Sequence, residues 1–126
     1  MVAQAEHIPV HLGSMPMAVE KLLGTGEDVG PGDSWIVNDP YTGGSHLNDV
    51  TVISTVHDGR DEELLGFVVN KAHHSDVGGD APGSMPAAAT SLDQEGIVLH
   101  LQRLKRQGRW VGPPGDLHHG LNPKTR

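Results

Sequence analysis

Residues 50–70 read VTVISTV-HDGRDEE-LLGFVVN, and this stretch decides the fold. Its first run, Val50–Val56, is β-branched everywhere except at Ser54, which favours an extended strand. The last run, Leu64–Asn70, is also mainly apolar. The polar segment His57–Glu63 between the two runs contains an Asp-Gly pair, which is typical of turns. The stretch therefore predicts an antiparallel hairpin.

Shorter segments on both sides of the hairpin predict the other elements. Met17–Leu23 combines strong helix formers with apolar residues at helical spacing, and Gly24 is a natural stop for a short helix. Ser34–Asn38 is expected to form a strand that ends before Pro40, because proline cannot donate a ladder hydrogen bond. Ile97–Leu99 is a further candidate strand. The expected fold class is α+β and β-leaning, with a central antiparallel hairpin and Gly/Pro-rich loops.

The composition indicates an incomplete domain. Of 126 residues, 17 are Gly and 9 are Pro, and the aromatic residues are limited to Trp35, Tyr41, Phe67 and Trp110. Because aromatic side chains supply much of the apolar area of small cores, a core of this chain depends on Val, Leu and Ile. A chain of this length already leaves much of its surface exposed. We therefore expect it to be part of something larger.

The charge and the absence of cysteine exclude several classes of protein. The net charge is −7, and the basic residues cluster only in the short stretch 103–109, so nucleic acid is not an expected partner. The lack of Cys excludes disulfide scaffolds and thiolate zinc sites. The sequence shows neither a signal peptide nor an apolar run of the roughly 20 residues that a membrane span needs. The expected location is the cytoplasm.

Nine histidines in 126 residues call for a chemical explanation, and two of them begin the same short pattern. Residues 46–50 (HLNDV) lead into the first hairpin strand, and residues 73–77 (HHSDV) follow the second. Both segments have the form His-x-x-Asp-Val. Each stands beside a glycine pair, which lets the backbone turn sharply or approach a ligand closely.

The hairpin converts this repeat into geometry. If the turn is centred near residue 60, Asp49 lies near Lys71 and His46 lies near His74, with facing residues roughly 5 Å apart. Imidazoles and carboxylates would then converge at the open end of the hairpin. This combination suits Zn, Fe or Mn. From the spacing alone, a hydrogen-bonded polar network at the hairpin mouth explains the pattern equally well.

The remaining histidines carry less information. His57 lies in the turn and is expected to be solvated, whereas His7 and His11 are assigned structural or surface roles. The pair His118-His119 lies in a stretch without any fold signal.

The segment Asn38–Tyr41 (NDPY) has two interpretations. The simpler one is a strand end followed by a turn that starts at an Asp-Pro pair. Asp39, however, precedes His46 by only a few residues and is a candidate for the same pocket. No Gly-x-Ser-x-Gly elbow and no phosphate-cradling glycine loop with lysine occurs, so the chain is not expected to bind ATP by itself.

Three segments resemble signatures of the hydantoinase B/5-oxoprolinase family. Residues 32–49 (GDSWIVNDPYTGGSHLND) and residues 66–86 (GFVVNKAHHSDVGGDAPGSMP) resemble its two main motifs, and residues 5–16 (AEHIPVHLGSMP) resemble a segment upstream of them. The motifs occur in the family's order. The resemblance predicts a partial hydantoinase B-like domain over residues 1–98, followed by a divergent, irregular tail over residues 99–126.

The resemblance implies an ATP-dependent cyclic-amide hydrolase, or a related carboxylase, with two components. A hydantoinase A-like, ATP-binding partner would phosphorylate the substrate carbonyl, and this type of subunit would complete ring opening with a divalent metal (Mn, Zn or Fe). In the related acetone carboxylases, the corresponding subunit holds manganese through His and Asp side chains. Carried over by motif, the metal ligands are His46, His73 and Asp76, with His74 and Asp49 as close candidates. The catalytic candidates are Asp39 and Asp49.

The chain departs from the family in its length and after residue 98. Family members run to several hundred residues and usually continue there with an Ile-Pro-Pro-like segment, where this chain reads Leu99-His100-Leu101. The out-of-frame end of an interrupted gene would produce such a tail, which predicts a truncated subunit that is inactive alone. The alternative is a small metal-binding or interaction module that folds independently.

Overall fold

The computed structural model describes residues 9–60, 62–84 and 86–111. His7 and the pair His118-His119 lie outside these residues. Neither helix in the described ranges is long and apolar enough to cross a membrane. The elements are α1 (Pro9–Gly24), β1 (Ser34–Val37), β2 (Asp49–His57), β3 (Leu64–His73), α2 (Leu92–Glu95), β4 (Gln102–Arg106) and β5 (Arg109–Trp110).

The strands form one sheet in the order β3-β2-β1-β4-β5, and every neighbouring pair is antiparallel. The predicted hairpin forms β2 and β3, and the predicted strand Ser34–Asn38 forms β1 one residue shorter. One long helix and a five-stranded sheet make up the described part of the chain. The expected β-leaning α+β fold is thus confirmed.

The register of the hairpin differs from the predicted one by two residues. Asp49 lies opposite His73, whereas the sequence predicted Lys71 at that place. The turn is centred slightly beyond residue 60, because Asp58 N–H donates to Glu63 O at 2.8 Å. A bulge next to the turn then adds one more residue to β3. An even shift keeps every side chain on its predicted face, so the open end of the hairpin still gathers the motif residues.

Helix α1 covers one face of the sheet. Its side chains Ala18 and Leu22 pack against Trp35 of β1 and Ile53 of β2, and all four are at most 1% exposed. Trp35 and Ile53 are register partners, so their side chains leave the sheet on the same face. This contact fixes the helix over the hairpin strands.

The helix is longer than the predicted segment Met17–Leu23. It starts at Pro9 and contains Pro16. Pro16 belongs to a Gly-Ser-Met-Pro stretch, a pattern that is typical of a helix boundary. An internal proline removes one helical hydrogen bond and lowers the helix propensity of the segment. Burial of the helix face against the sheet outweighs this cost. Within the added turns, Ser14 Oγ donates to His11 O at 3.0 Å.

Residues 102–110 form β4 and β5 in the stretch that was expected to be irregular. Leu104 is buried on the sheet. The cationic residues on both sides of Leu104 mask the apolar alternation that would predict a strand. Arg103 lies over the ring of Trp35 at 4.7 Å, and Lys105 lies over Trp110 at 4.5 Å. Such stacking gives cationic side chains a place on a strand.

The predicted strand Ile97–Leu99 is wrong, because this segment has no regular secondary structure. Its backbone bonds to Asn38 beyond the end of β1. Leu99 N–H donates to Asn38 Oδ1 at 2.6 Å, and Asn38 N–H donates to Leu99 O at 3.0 Å. A side-chain amide thus takes the place of a ladder bond.

Candidate functional site

Asp49, the first residue of β2, is the centre of the candidate site. Asp49 is fully buried (0% exposed), and each oxygen of its carboxylate faces an imidazole. His73 Nδ1 lies 2.8 Å from Oδ1, and His46 Nδ1 lies 2.8 Å from Oδ2. The hairpin register places His73 opposite Asp49, and a tight turn closed by Asp49 N–H and His46 O (2.9 Å) returns His46 to the same carboxylate.

Helix α1 contributes a third imidazole and a hydroxyl group. His11 is 8% exposed, and its Nε2 lies 3.3 Å from Asp49 Oδ1. Ser14, about one helical turn further, accepts a hydrogen bond from Lys71 Nζ. The helix that packs on the core therefore also forms one wall of the site.

Lys71 is a buried cation beside the carboxylate. It is 7% exposed, and its Nζ also donates to Ser45 Oγ at 3.2 Å. The Ser45 hydroxyl in turn donates to Asp49 Oδ2 at 2.9 Å, so it connects the ammonium group to the carboxylate. Burial lowers the pKa of Lys71, and the negative charge of Asp49 partly opposes this shift.

The surroundings keep Asp49 ionised. Burial raises the pKa of its carboxyl group, but hydrogen bonds from His73, His46 and Ser45 outweigh burial and bring the pKa well below its ordinary value of 3.8. The side chains of His46 and His73 are 69% and 62% exposed, so the outer edges of both rings meet solvent. A buried negative charge thus lies behind two imidazoles that a ligand can reach.

A second histidine–aspartate pair lies at the end of β1. Asp39 is 3% exposed, and its Oδ2 lies 2.7 Å from His100 Nδ1, whereas the His100 side chain is 76% exposed. Asp39 Oδ1 accepts the backbone N–H of Tyr41 at 2.9 Å. Burial raises the pKa of Asp39, but the N–H of Tyr41 and the hydrogen bond and charge of His100 help to outweigh burial, and the pKa is lowered.

The buried amide of Asn38 connects the segments that carry the two pairs. Its Nδ2 donates to Leu47 O at 2.8 Å and to Ile97 O at 2.9 Å. Because one nitrogen serves both carbonyls, the two oxygens lie within about 6 Å of each other. Leu47 directly follows His46, and Ile97 stands three residues before His100. Asn38 therefore holds these two segments side by side.

The structure brings together three of the residues that the sequence proposed, namely His46, Asp49 and His73. The other catalytic candidate, Asp39, belongs to the second pair with His100.

Two proposed metal ligands make different contacts. His74 donates its backbone N–H to Asn48 O at 2.8 Å, and its side chain is exposed. Asp76 accepts the backbone N–H groups of Gly78 at 2.8 Å and Gly83 at 3.1 Å, so its carboxylate holds the glycine-rich loop after β3. Their role as ligands stays a prediction.

The sequence did not single out three residues that the structure places at the Asp49 cluster or in the second pair: His11, Ser14 and His100. His11 had been given a structural or surface role, and His100 stood in the supposed tail. The upstream segment 5–16 carried a signal, because it resembles a family motif that contains both His11 and Ser14.

The donor groups around Asp49 fit the chemistry of a transition metal. Imidazole nitrogens and carboxylate oxygens bind Zn, Mn and Fe. Within residues 9–60, 62–84 and 86–111, however, no group of three His, Cys, Asp or Glu side chains is arranged to hold an ion. The present arrangement is a hydrogen-bonded cluster.

Comparison with known proteins gives consistent relatives. An uncharacterized protein of Methanocaldococcus jannaschii is 43% identical over 113 residues, which covers 86% of this chain and 20% of the relative. The 5-oxoprolinase 1 of Arabidopsis thaliana is 41% identical over 109 residues, which covers 86% of this chain and 8% of the relative. The chain thus spans a fifth or less of the length of these relatives.

Solved structures give the same result. The ATP-dependent caprolactamase from Pseudomonas jessenii superposes with a TM-score of 0.75 at 33% identity, over 87% of this chain and 19% of the other. The nucleotide-free acetone carboxylase superposes with a TM-score of 0.70 at 23% identity, over 81% and 14%, and shares the fold. A family model described as hydantoinase B/oxoprolinase matches residues 1–117. The chain therefore belongs to the hydantoinase B/oxoprolinase family.

Proposed function

We propose that this chain supplies the Asp49 site to the hydantoinase B-type component of an ATP-dependent cyclic-amide hydrolase. The observation that carries the proposal is the buried carboxylate of Asp49, contacted by the imidazoles of His11, His46 and His73. Relatives named 5-oxoprolinase and caprolactamase support a cyclic amide as the substrate class, because 5-oxoproline and caprolactam are both lactams.

A partner that binds ATP is part of the proposal. The chain has no phosphate-cradling glycine loop with lysine, whereas the caprolactamase is described as ATP-dependent and its matching component is a beta subunit. ATP would therefore act through a hydantoinase A-like subunit or domain, which activates the substrate carbonyl. The absence of cysteine is in keeping with a proposed cytoplasmic location.

We further propose that the site takes a divalent metal (Mn, Zn or Fe). His46 and His73 would hold it with Asp49 behind their rings, and the sequence motif adds His74 and Asp76 as candidates. Such an ion polarises a carbonyl group or lowers the pKa of a bound water. Binding of this kind agrees with the exposure of both imidazoles, which are 69% and 62% accessible.

The protein's own groups then have distinct tasks. Asp49 fixes the orientation of His46 and His73 through their Nδ1 atoms, as carboxylates do behind metal-bound histidines. Lys71 supplies a fixed positive charge beside this carboxylate, and Ser45 connects the two. A buried charge in a rigid setting needs little reorganisation when negative charge develops on a substrate oxygen.

The metal proposal is tested on the chelator-treated chain by titration with MnCl2 or ZnSO4, followed by thermal unfolding. Saturating metal should raise the Tm by several degrees, since a ligand at 100 times its Kd contributes about 2.7 kcal/mol. His46→Ala and His73→Ala should each abolish the rise. His57→Gln is the matched control, because His57 bonds to Val29 O in a separate part of the fold. An unchanged Tm in the wild type would contradict the metal proposal.

The hydrolase proposal has its own test. The chain is combined with an ATP-binding partner subunit, and ring opening of 5-oxoproline or caprolactam is followed by the amine released. Turnover should require ATP and the chain, and His73→Ala should reduce kcat at least 100-fold, in the range for loss of a catalytic group. Equal turnover by the His73→Ala protein, or none by the wild type, would contradict the proposal.

A further inference from the structure

A proton acceptor outside the Asp49 cluster is suggested by the pair at the end of β1. The carboxylate of Asp39 is almost completely buried, whereas the imidazole of His100 is 76% exposed. Only the Nδ1 edge of the ring meets the carboxylate, at 2.7 Å. Buried Asp39 therefore holds the imidazole of His100 by Nδ1. The other ring nitrogen, Nε2, lies on the side of the ring away from the Asp39 carboxylate.

The contacts of Asp39 define its protonation and hence that of His100. Its Oδ1 accepts the N–H of Tyr41, and its pKa is lowered, so the carboxylate is ionised at neutral pH. An ionised carboxylate can only accept hydrogen bonds, so the facing Nδ1 must carry the proton. Neutral His100 is then the Nδ1–H tautomer, and its Nε2 lone pair is free to take a proton from a substrate or from water.

The placement of His100 is fixed by the fold. The backbone before it bonds to Asn38, whose side chain accepts Leu99 N–H at 2.6 Å and donates to Ile97 O at 2.9 Å. The same amide donates to Leu47 O, next to His46. The Asp39–His100 pair is thus anchored to the segment that leads into the Asp49 cluster.

We propose that His100 is a catalytic general base and that Asp39 is its positioning residue. The inference rests on the proposed hydrolysis of a cyclic amide. His100 Nε2 takes one proton from water while the hydroxide oxygen bonds to the carbonyl carbon. When the ring C–N bond breaks, the leaving nitrogen takes that proton from His100, so the imidazole returns to its starting state. A second water then attacks the resulting acyl phosphate, which releases the phosphoryl group supplied by the partner as inorganic phosphate and leaves the carboxylic acid.

The first experiment observes the tautomer of His100 by NMR of the 15N-labelled chain at a pH where the ring is neutral. The wild type should show the proton on Nδ1. In Asp39→Asn, the amide can donate to Nδ1, so the proton should move to Nε2, as an asparagine at such a position favours the other tautomer. A wild-type ring protonated on Nε2, or a tautomer that Asp39→Asn leaves unchanged, would overturn the proposal.

The second experiment measures ring opening by the chain with its ATP-binding partner. His100→Gln and Asp39→Asn should each lower kcat about 100-fold, with bound substrate and fold unaffected, and free imidazole should restore part of the activity of His100→Ala. His57→Gln is the control and should stay within about twofold of the wild type. Wild-type kcat in His100→Gln, or no rescue by imidazole, would overturn the role of His100.

The two experiments separate this inference from the proposed function. If the wild-type complex opens no cyclic amide, the proposed function fails and His100 has no place as its general base. If turnover requires His73 but not His100, the proposed function stands and only the further inference is overturned.

Discussion

The imidazole of His73 and the carboxylate of Asp49 face each other across the β2–β3 ladder, with Nδ1 and Oδ1 2.8 Å apart. They are the last register pair at the open end of the hairpin. The carboxylate is buried while the ring is 62% exposed, so the pair joins the interior of the fold to its surface. Asp49 therefore has a structural task and an orienting task at once.

Replacement of Asp49 tests the structural task. Asp49→Ala leaves buried Lys71 without its nearby negative charge and Ser45 without its acceptor, so we expect the free energy of unfolding to fall by about 2–4 kcal/mol. Urea unfolding measures the change. Exposed Asp93 on α2 is the matched control, and Asp93→Ala should cost less than about 0.5 kcal/mol. Equal losses in the two variants would contradict the central place of Asp49.

Two substitutions of Asn38 test the role of its side-chain amide. Its amide donates to two carbonyls and accepts one N–H, all in the interior. Asn38→Ala should lower the free energy of unfolding by about 2–4 kcal/mol, because three buried groups lose partners. Asn38→Asp should cost more, because a carboxylate oxygen would face the Leu47 and Ile97 carbonyls. An Asn38→Asp protein as stable as Asn38→Ala in urea would contradict this account.

The hairpin and the convergence of the two His-x-x-Asp-Val segments at its open end were predictable because their determinants are local. A run of β-branched residues, a polar turn and a three-residue spacing act over short distances along the chain. Even the two-residue error in register preserved the faces of both strands. Local patterning therefore gave the position of the site.

The participation of His11 and His100 could not be predicted in the same way. His11 reaches Asp49 only because α1 starts at Pro9 and packs across the sheet. His100 reaches Asp39 over a sequence separation of 61 residues. Such contacts depend on tertiary packing, which single-chain periodicity does not report.

Close backbone packing at Gly44 gives a steric prediction. A Cβ atom there would lie 2.2 Å from Asn38 O and 2.7 Å from Asp39 O, both backbone atoms that cannot move aside cheaply. Gly44→Ala should therefore lower the free energy of unfolding by about 2–4 kcal/mol in urea.

Gly13 in α1 is the control for this steric argument. A Cβ atom at Gly13 meets nothing within 4 Å, and alanine favours a helix interior. Gly13→Ala should raise the free energy of unfolding by about 0.5–1 kcal/mol. Destabilisation of both variants to the same degree would point to a cause other than the contact at Gly44.

Asp33 links acid sensitivity to the contact between the residues before β1 and the β4–β5 turn. It is 4% exposed, and its carboxylate accepts the N–H groups of Gly30 and Gln107 and pairs with Arg103. Burial raises the pKa of Asp33, but these hydrogen bonds and the Arg103 charge outweigh burial and bring the pKa below its ordinary value of 3.8. The ionised form therefore stabilises the fold above pH 3.8, and this contribution is lost as the pH falls through the lower folded-state pKa.

Asp33→Asn removes this dependence on pH. We expect the wild type to exceed the variant in free energy of unfolding by about 1–3 kcal/mol near neutral pH, because charged hydrogen bonds and the Arg103 pair are lost. The difference should shrink as the pH falls from 3.8 through the lower folded-state pKa, where the carboxyl group of the folded wild type also becomes neutral. Urea unfolding of both proteins across this range measures it, with Asp93→Asn as an exposed control. A difference that stays constant with pH would mean that Asp33 acts through packing, since only its charge makes the stabilisation depend on protons.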